Sequence, residues 1–370
     1  MTSNVEKNSS VRRVDLDWLR VLAVLLLVPF HAALTFVLDP NSIVYVKDTV
    51  NSVFLARMAG FIHQFHMPLL FAISGASTYF ALNVRSSGKY LLERVNKLII
   101  PAVFTILVLL PPMTWLTALS HGVKITYWQH FIGFFRLDPN DLSGVNGTFT
   151  PAHTWFLLFL AIFSVIALPL FLSERKARGG KLHEGIGAFL AKPFALYLLI
   201  IPLALSASLD LLADKNPIYY FGTFCLGYLL MTDERLQKAL DREAIISIVL
   251  GVVFFVVRVV WNPNFAVWTP SWVAYGLLEQ ATRILLVFGI LGLGHRFIHK
   301  GGKVLKYLAK ASFPFYLLHL PVVTLVGFFI ICLNTVVAIK YILIVVISTL
   351  ITFALYEILR RLPVLCKLVS

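Results

Sequence analysis

Charge is scarce in this sequence. Only 14% of its 370 residues are Asp, Glu, Lys or Arg, where a soluble domain carries about 25%. That excludes an ordinary water-soluble globule. Cysteine is scarcer still. Cys225, Cys332 and Cys366 lie far apart, two in apolar runs and one in the tail. Neither a disulfide framework nor a cysteine metal site is expected. Residues 1–15 are polar, and no small-residue cleavage site follows the first apolar run. That run is therefore read as a retained span, not a cleaved leader. No internal repeat of useful length stands out, which argues against a repeat-built transporter. Acidic residues are few, 18 against 32 basic ones, a formal net charge of +14. Such an excess would suit nucleic acid, but the placement of the charges removes that reading.

What the chain has in abundance is apolar sequence, 59% of residues, with a mean hydropathy of +0.83. Ten runs are read, at 17–38, 60–82, 98–120, 152–172, 193–212, 217–231, 244–261, 273–293, 312–333 and 337–359. Each approaches the length that crosses a bilayer as a helix, 217–231 being the shortest. With the N-terminus inside, the inner segments hold 23 Lys and Arg and the outer ones only Lys47, Lys124, Arg136 and Lys215. The positive-inside rule therefore puts both termini in the cytoplasm. The expectation is an all-α polytopic protein, one membrane domain over 1–370. Residues 1–16 form its cytoplasmic lead and 360–370 its cytoplasmic tail. The basic excess is mostly topology, with membrane lipid or an anionic substrate as its further partner. Segment 83–97 reads as a short amphipathic helix on the cytoplasmic surface, with Leu91, Leu92 and Val95 toward lipid. "YWQHFIGFF" (127–135) reads as lying flat at the outer interface, and 137–151 as turns.

The first run, "LDWLRVLAVLLLVPFHAALTF", contains Arg20 and His31. Eleven positions turn a helix about 20° beyond three full turns and advance it about 16 Å. Both side chains therefore leave one face, Arg20 near the cytoplasmic interface and His31 near mid-membrane. Ionisable groups at such depth usually face a bundle interior or a wet cavity. Taken singly, Arg20 also reads as an interface anchor, and His31 as a hydrogen-bonding partner for another helix.

Arg, ten residues, then His on the first membrane helix resembles the signature of the acyltransferase-3 family of membrane acyltransferases. Four further stretches are similar in order: "HMPLLFAISGAS" (66–77), "YLLERVNKLIIP" (90–101), "PAHTWFLLFL" (151–160) and "SFPFYLLHLPVV" (312–323). Lys97 stands where that family often has a second Arg after Arg94, and Phe313 where Tyr is common. The likeness spans most of the chain and looks closest to the glucan-modifying, succinyltransferase-like branch.

The resemblance implies transfer of an acyl group from cytoplasmic acyl-CoA, acetyl-CoA or succinyl-CoA, to a hydroxyl of an envelope glycan. It also implies a bacterial-type inner membrane. A free hydroxyl is a poor nucleophile and needs a base. His31 suits that role, or that of an acyl carrier. An extended pantetheine arm is of the order of the Arg20–His31 rise, so Arg20 suits the coenzyme's phosphates, with Arg94 and Lys97 beside it. Ser74, in Ser74-Gly75, either touches the acyl group or lets helices approach closely. His66 lines the cavity or bonds to backbone freed by Pro68. With only His63 beside it and no acidic partner, no metal is expected. Glu279 and Arg283 stand i, i+4 in the favourable order. They either neutralise each other or hold sugar hydroxyls. Arg258 and Arg57 near outer helix ends suit an anionic group or serve as anchors. His319 is structural or supports His31. Trp155 belongs to an outer aromatic belt that includes His153's helix mouth, or stacks on sugar. The alternative function is a transporter of a small molecule or glycan precursor.

Overall fold

The computed structural model describes residues 13–37, 46–139, 148–207, 215–261 and 269–362. Residues 1–12 and 363–370, Cys366, Trp268 and much of the 137–151 turn segment lie outside the described residues. Among those described, the secondary structure is helical throughout, with no strand. Seven helical runs are long and apolar enough to cross a membrane: Val14–Leu34, Val53–Val84, Ser87–Ser120, Glu234–Trp261, Pro270–Phe297, Lys303–Ile330 and Val337–Leu359. Two bent helix pairs raise the number to nine if each is one span. The tenth run of the sequence reading is a helix of only 13 residues, Pro217–Leu229, about 20 Å long against a hydrocarbon core of about 30 Å. Its start is sharply set. Asn216 Oδ1 accepts from the backbone of Ile218 and Tyr219, and Pro217 sits where its missing N–H costs nothing.

The elements are α1 (Val14–Leu25), α2 (Leu27–Leu34), α3 (Val53–Val84), α4 (Ser87–Arg94), α5 (Ile100–Phe104), α6 (Leu110–Ser120), α7 (Tyr127–Phe134), α8 (Trp155–Ile166), α9 (Leu168–Ala177), α10 (Lys181–Leu190), α11 (Ile200–Ala207), α12 (Pro217–Leu229), α13 (Glu234–Trp261), α14 (Pro270–Phe297), α15 (Lys303–Ile330) and α16 (Val337–Leu359). Segment 83–97 is not a separate surface helix. Its exposed Leu92 and Val95 belong to a run that continues to Ser120 through two π-helical turns, Val95–Ile99 and Thr105–Leu109. Pro101 follows the first turn, Pro111 and Pro112 the second. A proline ring collides with the carbonyl four residues back and offers no N–H to it. Widening the preceding turn moves that carbonyl aside and keeps the helix running. Most of the 127–135 stretch is helical, Tyr127–Phe134. It opens on a reciprocal cap between Thr126 and Gln129.

The chain forms two compact units. The first holds Met1–Arg20, Pro68–Ser87 and Phe171–Lys306. Small residues bring its backbones together. A methyl group at Gly75 would strike the Phe224 carbonyl, and one at Gly227 the Ala72 carbonyl. So α3 and α12 touch backbone to backbone, and Ser74-Gly75 serves close helix approach. Gly292 is likewise pressed against the Leu240 carbonyl, joining α13 to α14. Gly227→Val is expected to remove the folded protein, because two backbones cannot yield to a side chain as flexible neighbours do. Loss of the monodisperse peak in size-exclusion chromatography of the detergent extract is the measurement. At the end of this helix pair, Phe171 stacks flat on Tyr228 at 3.7 Å. Glu174 accepts from Arg178 at 2.8 Å and from Tyr228 Oη at 3.0 Å.

The second unit holds Val21–Met67, Gly88–Leu170 and Tyr307–Ser370. Part of its core is Ile106, Leu110, Met113, Phe134 and Leu320, covered by Phe149 and Ala152. It also buries an ion pair. Lys340 Nζ donates to Asp48 Oδ2 at 2.6 Å and to the Ile331 carbonyl at 2.9 Å. Nearby, Asp48 N–H bonds to the Thr35 carbonyl at 3.0 Å, and Lys47 donates to the Leu34 and Val37 carbonyls.

Candidate functional site

Four helices or turns of the second unit bring histidines together. His31 lies on α2, His63 and His66 on α3, His153 on a single 3-10 turn (Ala152–Thr154), and His319 in α15. His31 is only 6% exposed. Its ring centre is 5.2 Å from that of His319, which is 5.3 Å from that of His153. Phe30 fills the other side. Its ring lies 4.9 Å from His31, 4.8 Å from His66 and 6.1 Å from His63. The result is a set of imidazoles, all but His63 buried, beside an aromatic wall. Among the described residues no three His, Cys, Asp or Glu side chains converge as metal ligands.

The backbone fixes how these rings present themselves. His66 Nδ1 bonds to the Ile62 carbonyl at 3.2 Å, its own helix one turn back and not the carbonyl that Pro68 frees. His319 Nδ1 bonds to the Tyr316 carbonyl at 2.6 Å. His153 Nε2 bonds to the Leu317 carbonyl at 3.1 Å, and Tyr316 Oη donates back to the His153 carbonyl. A carbonyl only accepts, so each bonded nitrogen carries the hydrogen. The opposite nitrogen of the neutral ring is then a lone pair, the form a base requires. His153 is delivered by an unusual backbone. Ala152, just before it, has φ 39°, a left-handed conformation costly for a non-glycine residue, and its N–H is taken by Thr150 Oγ1.

The profile of the acyltransferase-3 family, described as an acyltransferase domain, matches residues 13–357. The chain belongs to the acyltransferase-3 family. Its apolar helices and that membership make it an integral membrane acyltransferase. It is similar to the glucans biosynthesis protein C of Salmonella schwarzengrund (strain CVM19633), 24% identical over 380 residues, 97% of this chain and 94% of the relative. The protein of the same name in Escherichia coli O6:K15:H31 (strain 536 / UPEC) is 24% identical over 379 residues, with the same coverage. That of Salmonella typhi is 24% identical over 340 residues, 86% of this chain and 84% of the relative. No solved structure matches the chain.

In this acyltransferase-3 protein the remaining sequence candidates divide between the units. Arg94, Lys97 and Trp155 lie in the second with His31, His66 and His319; Arg20, Ser74, Glu279 and Arg283 lie in the first. Arg94 lays its guanidinium over the ring of buried Tyr90 at 4.8 Å, and Lys97 is exposed on the first π turn. Trp155 meets Phe159 edge-on at 5.2 Å. Arg20 donates to Ser77 Oγ at 2.6 Å and pairs with Asp17 at 3.3 Å. The serine that meets Arg20 is thus Ser77. Ser74 turns its hydroxyl to the Leu70 carbonyl of its own helix at 2.8 Å. Glu279 takes Arg283 at 2.7 Å, as the i, i+4 spacing suggested, and also Arg258 at 3.0 Å. Sequence periodicity found the first pair because both partners share a helix. It missed Arg258 because that residue comes from α13.

Proposed function

We propose that this protein transfers an acyl group, acetyl or succinyl, from cytoplasmic acyl-CoA to a hydroxyl of an envelope glucan or related glycan at the outer face. The observation that supports this most is His31, buried and centred among histidines with lone pairs, in a chain of an acyltransferase family. His31 takes the proton of the acceptor hydroxyl. The oxygen attacks the thioester carbonyl, the carbon–sulfur bond breaks, and the coenzyme leaves as its thiol once the thiolate regains a proton. Arg94 and Lys97 hold the coenzyme phosphates from the cytoplasmic side, Arg in bidentate fashion and Lys as a point charge. The chain crosses the inner membrane ten times, Pro217–Leu229 serving as a short tenth crossing that the bilayer thins to meet, with both termini in the cytoplasm, the placement in which 23 basic residues lie inside and 4 outside. The relatives' name supports a glucan acceptor. The test is thiol release from acetyl-CoA and succinyl-CoA by protein in lipid nanodiscs, with and without glucan. Release that rises with glucan, with the labelled acyl group recovered on the sugar, is expected. Release unchanged by any glycan acceptor, or none, would overturn the reading.

A further inference from the structure

His319 is fully buried and His153 is 7% exposed. His319 Nε2 and His153 Nδ1 are the nitrogens not bonded to backbone, and among the described residues neither has a hydrogen-bond partner. A buried polar atom left in that state costs about 1–3 kcal/mol. Two such atoms lie on neighbouring rings, 5.3 Å between centres. Both are acceptors, and what two acceptors on neighbouring rings lack is a proton. Around them stand His31 on α2, His66 on α3 and Tyr316 on α15; His63 is the further ring near His31.

We propose that His319 and His153 form a proton-holding pair behind His31. The inference rests on the acyl-transfer reading for its purpose. His31 draws the proton from the acceptor hydroxyl and passes it to His319 Nε2, where His153 Nδ1 shares it. When the thioester carbon–sulfur bond breaks, the proton returns through His31 to the thiolate sulfur. The pair ends the cycle as it began, and no other reactant is consumed. Neither residue touches the substrate. Both act through His31, and their backbone bonds fix which nitrogen of each ring carries the lone pair. Tyr316 ties the two by donating to the His153 carbonyl.

Amide replacements separate this role from a structural one. Asparagine puts an N–H where Nδ1 sits, and glutamine puts one where Nε2 sits. His319→Asn and His153→Gln therefore keep the bonds to Tyr316 and Leu317 and delete only the lone pair. Both are expected to fold and bind donor as wild type does. His319→Asn lowers kcat about 10²-fold, and both variants displace the acid limb of the pH–kcat profile. A merely structural role predicts full activity and an unmoved profile for these two, with loss confined to His319→Gln and His153→Asn. A second measurement needs no turnover: nitrogen NMR of 15N-histidine-labelled wild type and His153→Gln in nanodiscs. His319 Nε2 and His153 Nδ1 are expected unprotonated at neutral pH, taking up one proton between them on acidification. The His319 titration is expected to shift in His153→Gln. Independent titration of the two rings, or the opposite tautomers, would overturn the pair. If instead the rings titrate together while wild type releases no thiol, the pair stands and the acyl-transfer reading fails.

Discussion

His31→Ala is expected to lower the turnover of acyl transfer by about 10²–10⁴-fold while changing donor affinity by no more than about twofold. The reasoning is local. His31 is buried among the rings of Phe30 and His319, a setting suited to moving a proton and not to gripping phosphates. Its removal deletes the base and leaves the coenzyme's charged contacts in place. Loss of kcat with an unchanged donor Kd is the signature of an interaction made only in the transition state. Parallel measurement of thiol release and donor binding on the variant checks it. An equal weakening of donor binding would move His31 into the binding site.

Lys340→Met is expected to destabilise the protein by about 3–5 kcal/mol, because it leaves the Asp48 carboxylate buried without its cation. Side-chain exposures of 8% for Lys340 and 1% for Asp48 put the pair out of reach of solvent screening. The pair also joins three segments, since Lys340 holds the Ile331 carbonyl and Asp48 caps the backbone of Val50 at 2.8 Å. Adding Asp48→Asn to Lys340→Met removes the stranded charge and is expected to restore much of the loss. Thermal unfolding in detergent, read as the shift of the midpoint for the single and double variants, checks both parts. A double variant no more stable than the single would show that the carboxylate was not the source of the cost.

Much of this architecture was legible in composition and run length. Apolar runs mark helices wherever they exceed the bilayer thickness, and the long spans fall where they were read. The 13-residue α12 falls short because an Asn-Pro cap and the turn after Leu229 cut it at both ends. The continuity of 87–120 was missed because the sequence changes from basic and amphipathic to apolar at 97/98, while the backbone runs on as one helix through the widened turns before Pro101 and Pro111. Within a helix, spacing carried real information. It paired Glu279 with Arg283. Between helices it carries none. That His319 approaches His31, that Arg258 reaches Glu279, and that Ser77 meets Arg20 depend on which faces pack. His153 is the clearest case. It sits on a turn with no periodicity, just after a residue in a left-handed conformation. Its only sequence signal was the His-x-Trp-Phe stretch that opens α8.

The central claim is that this membrane protein uses acyl-CoA, and donor binding tests it without any choice of acceptor. The measurement is calorimetric titration of acetyl-CoA and succinyl-CoA into the purified protein in lipid nanodiscs, with free CoA as reference. Micromolar binding of one acyl-CoA is predicted, its preference naming the group transferred. A folded sample that binds no CoA species would contradict the account.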